Sequence, residues 1–452
     1  MAVKNLLPDK EKISRPDIPP NFTKLLKTFA RVGLLSFGGP TAQIALIHQE
    51  IVNKNNWLSE DQFLGALSFC MLLPGPEAMQ LATYSGWRLH GVKGGLAAGI
   101  LFILPGSILV LLLAGIYASY GDVPIINSIF SGIKATVIVI VLDALIRISK
   151  KALKYRSDQL IAILSFVSFF FLSMPFPLVI FTAGVIGFVI AWVSRREILD
   201  SPKLAKPITN VNIRHTLLTI LIWLTIWLLP VMIIFFLLGS DHVIVQLGIF
   251  FSKLAVVTFG GAYSVLAYMA QEVVQHHGWL TPKEMLDGLG LAETTNGPLI
   301  LVTEFVGYIA AYRFDHGYSI LLGIAGAIVT LWVTFLPCFL WIFTGAPYIE
   351  YLQTLPRLQG ALKGITAAVV GVILNLTIWF SFHVFFEIVT KVEFGPFIFW
   401  VPTFGSVDIA SVSLSVVASI ALLKMRFKLP SVLFLTGALA MALHLISGQI
   451  NT

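Results

Sequence analysis

The sequence has little charge and almost no cysteine, and both shortages exclude classes of protein. Charged residues make up 12% of the 452 positions, whereas soluble proteins carry about a quarter. Cys70 and Cys338 are the only cysteines, which excludes a disulfide framework and a cysteine-rich metal site. The sequence also contains no Gly-x-Ser-x-Gly, no His-Glu-x-x-His, no P-loop and no dinucleotide-binding fingerprint. We therefore predict a protein that is not an enzyme and has neither cofactor nor metal. Without an aromatic-interleaved basic patch, we expect no nucleic-acid partner.

Long apolar runs dominate what is present. Hydrophobic residues make up 57% of the chain, and runs such as 96–118, 216–238 and 320–344 reach or approach the ~20 residues that cross a bilayer. We predict an all-α, polytopic membrane protein of about 13 transmembrane helices. The expected spans are 26–48, 61–88, 95–118, 125–148, 159–173, 176–194, 216–238, 244–270, 283–310, 317–344, 359–388, 398–423 and 429–448.

Four basic segments set the expected orientation. They are the polar tail 1–23 and the stretches 150–156, 195–214 and 424–428. Placing all four in the cytoplasm satisfies the positive-inside rule and puts Asp241 outside. Whether 61–88 and 283–310 span the membrane or re-enter it stays open at this point.

The chain repeats itself at an offset of 222 residues. Phe37-Gly38-Gly39, Gln49-Glu50, Trp57-Leu58 and Gly75-Pro76 recur as Phe259-Gly260-Gly261, Gln271-Glu272, Trp279-Leu280 and Gly297-Pro298. An odd number of predicted crossings separates the copies, so we expect inverted-topology repeats, which are typical of secondary transporters. The predicted division is a cytoplasmic tail 1–23, a first repeat 24–158, linking transmembrane helices with a basic cytoplasmic loop 159–243, a second inverted repeat 244–390 and C-terminal helices 391–452.

Glycine and proline interrupt these apolar segments at matching places. We expect helix breaks at Gly38-Gly39-Pro40-Thr41, Pro74-Gly75-Pro76, Gly260-Gly261 and Asn296-Gly297-Pro298. Broken backbone at membrane depth is tolerated where it lines a cavity or is buried in protein, and a helix that begins there offers N–H groups to an anion. Gln80 and Thr83 follow Pro76 at helical spacing and are candidate donors. The alternative is that the glycines only permit close helix packing.

A few charged residues lie inside the predicted spans. Arg31 and Lys253 are counterparts in the two repeats, and we consider them the best counter-charges for an oxyanion. Lys134 and Lys363 also look paired, with snorkelling to an interface as the alternative. Candidates for proton coupling or charge pairing are the acids Glu50, Glu77, Glu272 and Glu304.

Several of these motifs resemble the chromate ion transporter family in its long, two-domain form. They are Phe37-Gly38-Gly39-Pro40, Gln49-Glu50, the stretch 73–84 (Leu-Pro-Gly-Pro-Glu-Ala-Met-Gln-Leu-Ala-Thr-Tyr), Phe259-Gly260-Gly261-Ala262 and Asn296-Gly297-Pro298. The resemblance implies a multi-pass protein of the bacterial inner (plasma) membrane that exports chromate and confers chromate resistance. It also implies that a proton gradient or the membrane potential drives export, and that sulfate competes with chromate.

Other functions stay open beside this one. A transporter of sulfate or a related oxyanion is the first alternative; an intramembrane enzyme acting on a phosphate-bearing lipid and a passive channel are further ones. Besides chromate, the expected partners are the lipid bilayer, sulfate or protons, and a second copy of the chain, because a homodimer is the default oligomer.

Overall fold

A computed structural model describes residues 20–121, 123–193, 213–259, 262–314, 317–349 and 355–450. Most of the predicted tail and the predicted basic loop at 195–212 lie outside the described residues. Within these ranges the chain is almost entirely helical, with one β-hairpin. The elements are α1 Phe22–Leu35, α2 Gly39–His48, α3 Glu60–Cys70, α4 Glu77–Tyr120, α5 Pro124–Ala152, α6 Arg156–Phe170, α7 Phe176–Val193, α8 Ile213–Leu238, α9 Val243–Val257, α10 Ala262–Ala270, α11 Pro282–Thr294, α12 Val302–Tyr312, α13 Ile320–Gly345, α14 Pro356–Phe385, β1 Val389–Phe394, β2 Phe397–Pro402, α15 Ile409–Ser419 and α16 Leu429–Ile450.

Seven of the described helices are long and apolar enough to cross a membrane. They are α4, α5, α7, α8, α13, α14 and α16, and shorter apolar helices accompany them. This confirms the predicted polytopic, nearly all-α membrane fold.

The helix α4 is an antiparallel pair rather than one rod. His90 and Gly91 depart from helical geometry, with Gly91 at φ +62°, and Gly86 packs directly against Gly94. Residues 77–89 (α4a) and 92–120 (α4b) therefore lie side by side, joined by a tight turn. This turn falls between the two spans predicted at 61–88 and 95–118.

The helices α1 and α2 fold back on each other to form hairpin 1A. Lys24, near the start of α1, lies 5.8 Å above the ring of Trp57, which follows a π-helical extension of α2 at Gln49–Lys54. Arg31 of α1 lies 3.9 Å from Glu50. These contacts join the start of α1 to the end of α2, so residues 26–48 form part of a hairpin rather than one continuous helix. With only 14 residues, α1 extends about 21 Å, and the Gly38-Gly39-Pro40 break reverses the chain.

The helices α3 and α4a form hairpin 1B, whose base lies at the same end of the bundle. His48 of hairpin 1A contacts Glu60 at the start of α3, with Nε2 and Oε2 2.8 Å apart. His90, at the end of α4a, lies 2.6 Å from the carbonyl oxygen of Pro20. The chain therefore enters and leaves hairpin 1B beside the base of hairpin 1A, the geometry expected if residues 61–88 re-enter the membrane.

The second repeat builds the same two hairpins. In hairpin 2A, α9 and α10 fold back so that Phe250 packs against Trp279, with ring centroids 5.8 Å apart. In hairpin 2B, α11 and α12 fold back so that Gly288 faces Phe305. Residues 244–270 therefore belong to a hairpin rather than to one continuous helix, and the fold of 283–310 is the geometry expected of a re-entrant segment.

An ion pair closes the base of hairpin 2B. Arg313, just after α12, contacts Glu284 in the first turn of α11. Burial alone would raise the pKa of Glu284, but hydrogen bonds from Arg313 and from the Thr281 backbone and the charge of Arg313 hold it below its usual value. The two ends of the hairpin are therefore held together by a charged contact.

The two repeats are inverted relative to each other. The helices α4b and α13, which follow the hairpins of each repeat, are counterparts that pack side by side, with Gly95 facing Phe343 and Gly99 facing Phe339. Residue numbers increase along α4b while those of the contacting residues in α13 decrease, so the two helices run antiparallel. Hairpins 1A and 1B therefore enter the bundle at one end, and hairpins 2A and 2B enter at the opposite end.

Each repeat is followed by a helix pair that packs on the other repeat. Gly187 of α7 faces Gly364 of α14. In the reverse direction, the hydroxyls of Thr136 on α5 and Thr436 on α16 lie 2.8 Å apart, and Ser415 of α15 donates to the carbonyl of Ala135. This exchange ties the two repeats into one bundle.

A two-stranded antiparallel hairpin replaces the start of one predicted span. β1 and β2 pair from Val389–Pro402 to Phe394–Phe397 around a turn at Gly395, and the helix predicted at 398–423 begins at Ile409. Alternating β-branched and aromatic residues on either side of a Gly-Pro turn favour strands. The high apolar content of this segment obscures that alternation.

Candidate functional site

The four hairpin tips meet inside the bundle. The Gly75 N–H of hairpin 1B donates to the Thr258 carbonyl of hairpin 2A over 3.0 Å, and the Gly297 N–H of hairpin 2B donates to the Ser36 carbonyl of hairpin 1A over 2.9 Å. Gly75 and Gly297 are counterparts in the repeat, and so are Ser36 and Thr258. One contact is thus made twice, once in each direction. Because the hairpins enter from opposite ends, these tips lie at intermediate depth in the bundle.

The tip backbone requires glycine at both donor positions. Gly75 has φ +115° and Gly297 has φ +95°, a region that L side chains rarely adopt. A Cβ on Gly75 would lie 2.8 Å from the Cys338 sulfur, and one on Gly297 would lie 2.8 Å from Leu301 Cδ1. The helix breaks predicted at Pro74-Gly75-Pro76 and Asn296-Gly297-Pro298 are confirmed as breaks.

A helical segment begins at each tip and leads away from it. The starts are Gly39 of α2, Glu77 of α4, Ala262 of α10 and the 3₁₀ turn Leu299–Leu301 before α12. The first N–H groups of a helix lack intrahelical partners and carry a partial positive charge. The four helix starts therefore direct partial positive charge towards the tips, which is a feature expected of an anion site.

Amide side chains lock the tips of opposite repeats together. Gln43 Nε2 donates to the Gly297 carbonyl over 2.6 Å, and Asn296 Nδ2 donates to the Gly33 carbonyl over 3.2 Å. Gln80 and Thr83 are fully buried. Gln80 donates to the Pro74 carbonyl and Thr83 to the Met79 carbonyl, so these two donors, proposed from sequence for the oxyanion, are held by the tip and by α4a.

The predicted residues of the first tip differ from those of the other tips in exposure. Gly38 and Thr41 are exposed and Gly39 and Pro40 half-buried, whereas Pro74, Gly75, Pro76, Asn296, Gly297 and Pro298 are buried. The tip of hairpin 1A is thus the accessible side of the cluster. Gly260 and Gly261, the counterparts of Gly38 and Gly39, lie outside the described residues.

The predicted counter-charges lie on the hairpins, not at their tips. Arg31 and Lys253 occupy equivalent exposed positions on α1 and α9. Arg31 lies five residues before Ser36, about 7 Å along the helix axis, and its side chain is 60% exposed although it lies 3.9 Å from Glu50. A long, accessible side chain at this position can reach towards the tip of its own hairpin.

Two of the four predicted acids make equivalent local ion pairs. Glu50 contacts Lys54 over 2.7 Å, and its counterpart Glu272 contacts His276 over 3.4 Å. Both pairs lie in the π-helical turns near the hairpin bases. Glu77 instead occupies the first position of α4 at the tip of hairpin 1B, where its charge complements the helix dipole.

The paired lysines make ion pairs between elements of opposite repeats. Lys134 of α5 is buried and contacts Asp287 of α11 over 3.4 Å. Lys363 of α14 contacts Asp158 of α6 over 3.2 Å and lies over the Tyr155 ring. Neither lysine is free to serve as a counter-charge at the tips.

Sequence reasoning identified Glu304 as a candidate acid but missed the acid–hydroxyl contacts of hairpins 2A and 2B. Tyr117 of α4b donates to Asp287 over 2.9 Å, and Tyr263 of α10 donates to Glu293 of α11 over 3.0 Å. Ser107 of α4b donates to Glu304 of α12 over 3.0 Å, and the second oxygen of Glu304 is buried with no hydrogen-bond partner among the described residues. The three carboxyls follow no motif and have no acidic counterparts in the first repeat, although an acid within an apolar hairpin is itself a signal.

Comparison with known proteins decides the family. The family model described as "Chromate transporter" matches residues 23–188 and 245–443. The chain belongs to the chromate transporter family. A chromate transport protein of Cupriavidus metallidurans is 28% identical, covering 82% of this chain and 86% of the relative. One from Pseudomonas aeruginosa is 30% identical, covering 80% and 81%. An uncharacterized transporter of Methanocaldococcus jannaschii is 28% identical, covering 83% and 88%. No solved structure matches the chain.

Membership in the chromate transporter family confirms the resemblance found in the sequence motifs. It supports chromate as the transported substrate of this chain. It also agrees with a multi-pass membrane protein, and the family is one of transporters and not of enzymes. The first family match ends within α7 and the second begins within α9, so each covers one hairpin pair and the helices that follow it.

Proposed function

We propose that this protein exports chromate across the bacterial inner membrane by alternating access and so confers chromate resistance. The observation that carries the proposal is the reciprocal tip contact, Gly75 to Thr258 and Gly297 to Ser36. Two inverted repeats that make one contact in both directions can exchange their conformations. Such an exchange converts a state open to one side of the membrane into a state open to the other.

The hairpin tips are the proposed oxyanion site. Chromate is a tetrahedral dianion, and the helix starts at Gly39, Glu77, Ala262 and Leu299 direct partial positive charge towards one region. Arg31 and Lys253 supply the formal positive charge from opposite ends. In this arrangement the backbone N–H groups recognise the shape of the oxyanion, and the two cations offset its charge. The proposed binding residues are Arg31, Gly38, Gly39, Pro40, Thr41, Pro74, Gly75, Pro76, Gln80, Thr83, Lys253, Gly260, Gly261, Asn296, Gly297 and Pro298.

The membrane potential is sufficient to drive export of a dianion. Moving one charge across 100 mV is worth about 2.3 kcal/mol, so a dianion that leaves a negative interior gains about 4.6 kcal/mol per 100 mV. Proton coupling would add to this gradient. Glu304 is our candidate for a coupled proton, since it is fully buried and its contact in the described chain is the Ser107 hydroxyl. Glu50 and Glu272 are proposed as charge-pairing residues, given their local ion pairs.

Inside-out vesicles test the export proposal. We expect them to accumulate chromate when energised and to lose accumulation when the potential and the proton gradient are both collapsed. Abolishing the potential alone with a potassium ionophore separates the two driving forces. Flux that persists without either gradient contradicts active export and indicates a channel. Transport of sulfate without chromate indicates the alternative substrate.

Arg31→Ala and Lys253→Ala test the counter-charges. We expect each variant to weaken chromate transport at least tenfold, because each removes one cation from a dianion site. Lys428→Ala, which changes a lysine in the basic segment before α16, is the matched control and should transport normally. Unchanged transport by both Arg31→Ala and Lys253→Ala would refute their assignment.

A further inference from the structure

Two buried side chains join the tips of hairpins 2A and 2B. Tyr263 stands in the first turn of α10, and Glu293 stands in the last turn of α11, two residues before Thr295. The Tyr263 hydroxyl donates to Glu293 Oε1 over 3.0 Å, and the two residues are only 8% and 6% exposed. Two residues extend at most about 7 Å, so the backbone of Glu293 lies next to the tip of hairpin 2B while its carboxyl group contacts the first turn of α10.

No cation in the described part of the chain pairs with Glu293. Every ion pair found among the described residues involves an acid other than Glu293. The charge that reaches Glu293 is that of Arg147 on α5, which is itself paired with Asp143 over 3.0 Å. The other cations on the elements packed against α11 contact other acids: Lys134 of α5 contacts Asp287, Arg313 after α12 contacts Glu284, and Lys363 of α14 contacts Asp158. An ionised Glu293 thus depends on one neutral hydroxyl and on a cation that is already paired, and a buried charge with so little compensation is costly.

The pair is not part of the symmetric scaffold. The counterparts of Tyr263 and Glu293 in the first repeat are Thr41 and Met71, which cannot make this contact. Neither side chain takes part in the backbone contacts between the tips, Gly75 with Thr258 and Gly297 with Ser36. The acid and its hydroxyl partner are therefore an addition to one repeat, at the place where the proposed oxyanion would lie.

We propose that Glu293 is a proton-binding site linked to occupation of the hairpin tips by the oxyanion. This inference rests on the proposed function and adds the group whose protonation changes when the oxyanion binds. A dianion and a carboxylate repel each other across a buried site, so the dianion favours protonated Glu293. By linkage, protonation of Glu293 strengthens oxyanion binding to the same extent. Tyr263 is the positioning residue, because its hydroxyl stabilises the ionised carboxylate when the tips are empty.

Chromate binding as a function of pH tests this linkage on the purified full-length protein. We would measure the chromate dissociation constant between pH 6.5 and 8.5 for the wild type, Glu293→Gln and the control Glu393→Gln in the exposed β-hairpin. Protonation of chromate itself contributes equally to all three. We expect the wild type and Glu393→Gln to lose up to tenfold more affinity per pH unit than Glu293→Gln within the titration range. Glu293→Gln should keep the tight binding of the wild type at low pH.

Tyr263→Phe provides a second readout if Glu293→Gln does not fold. Without the hydroxyl the carboxylate is less stable, so the pH dependence should persist with its midpoint moved to higher pH. Equal pH dependence in the wild type and Glu293→Gln would overturn the linkage alone, as would an unmoved midpoint in Tyr263→Phe. Absence of chromate binding by the folded wild type at every pH would instead refute the proposed function itself, and the linkage with it.

Discussion

The first and second repeats share a backbone design but differ in their buried chemistry. Both repeats fold into two hairpins, and both place a glycine with positive φ at the tip of the second hairpin. In both, the first hairpin ends in a π-helical turn in which an acid contacts a basic side chain four residues later. The second repeat alone adds Asp287, Glu293 and Glu304 inside its hairpins, where the first repeat has Gly65, Met71 and Ala82. The symmetric features are those that the proposed alternating access requires, whereas the added carboxyls include Glu293, the site of the proposed proton linkage.

The two ion pairs that the paired lysines make between the repeats also differ in how exposed they are. Lys134 of the first repeat is almost fully buried with Asp287, whereas Lys363 of the second repeat is 43% exposed beside Asp158. Exposed ion pairs contribute little to stability, but breaking a buried pair leaves an uncompensated charge. The strongest dependence on a single charge should therefore lie at hairpin 2B.

The largest expected effect comes from breaking the buried pair of Lys134 and Asp287. Lys134→Met should lower stability by about 3–5 kcal/mol, because it leaves Asp287 buried with only Tyr117 as partner. The double variant Lys134→Met/Asp287→Leu should recover much of that loss. Thermal unfolding in detergent measures both. Lys391→Met, which breaks an exposed pair with Glu393, is the control and should cost less than 1 kcal/mol. A double variant that is less stable than Lys134→Met would contradict this account.

Alanine at the two tip glycines tests whether the repeats are equivalent. Gly75→Ala and Gly297→Ala should each cost about 2–3 kcal/mol, since both force a side chain into the left-handed region and against a neighbour. We expect the two losses to agree closely and chromate transport to fall severely in both. Gly405→Ala is the control, because a Cβ there meets nothing within 4 Å. A severe loss at one tip and none at the other would disprove functional equivalence of the tips.

A smaller effect should follow when the first repeat is made to resemble the second at Gln43. The counterpart of Gln43 is Val265, so Gln43→Val removes the bond to the Gly297 carbonyl and keeps the site filled. We expect a loss of about 1 kcal/mol and roughly tenfold weaker transport. Gln62→Val near the start of α3 removes an exposed amide of the capping box and serves as a comparison for helix stability. Transport at the wild-type rate in Gln43→Val would show that this bond does not support the tips.

The smallest effect is expected at the paired π-helical turns. Lys54→Ala and His276→Ala remove the partners of Glu50 and Glu272, but both partners are largely exposed. Each variant should change stability by less than about 1 kcal/mol. Thermal unfolding midpoints in detergent, compared with that of the wild type, measure the two losses. A large loss in either variant would assign these turns a structural importance that their exposure does not suggest.

The sequence predicted the repeats, the inversion and the breaks because these depend on local chemistry. Glycine and proline at Gly75-Pro76 and Gly297-Pro298 disrupt a helix wherever they occur. Hydropathy could not distinguish a crossing helix from a hairpin, because both are apolar and of similar length; the reversal at Gly38 appears only in contacts such as Lys24 with Trp57. The antiparallel arrangement of the repeats agrees with the predicted inversion, since two hairpins in each repeat leave the parity of the predicted crossings unchanged.

The side-chain partners were the least predictable part of the site. The contact between Tyr263 and Glu293 joins residues 30 positions apart, and that between Ser107 and Glu304 joins residues 197 positions apart. Nothing in the local sequence of either residue identifies the other. The burial of Gln80 and the exposure of Arg31 likewise depend on how four hairpins pack, so their assignment as ligands rests on proximity to the tips.

The central claim is that the hairpins of the two repeats enter from opposite sides, and cysteine accessibility tests it most directly. Asn53 and Gln275 are exposed counterparts near the bases of hairpins 1A and 2A, and both natural cysteines are buried. We would label Asn53→Cys and Gln275→Cys with a membrane-impermeant thiol reagent in intact cells and inside-out vesicles, with Lys151→Cys at the end of α5 as the reference. Re-entrant hairpins predict that residue 53 is labelled from the same side as residue 151 and residue 275 from the opposite side. If residues 26–48 and 244–270 each crossed the membrane, the result would be reversed. Residue 53 would then be labelled from the side opposite to residue 151, and residue 275 from the same side as residue 151.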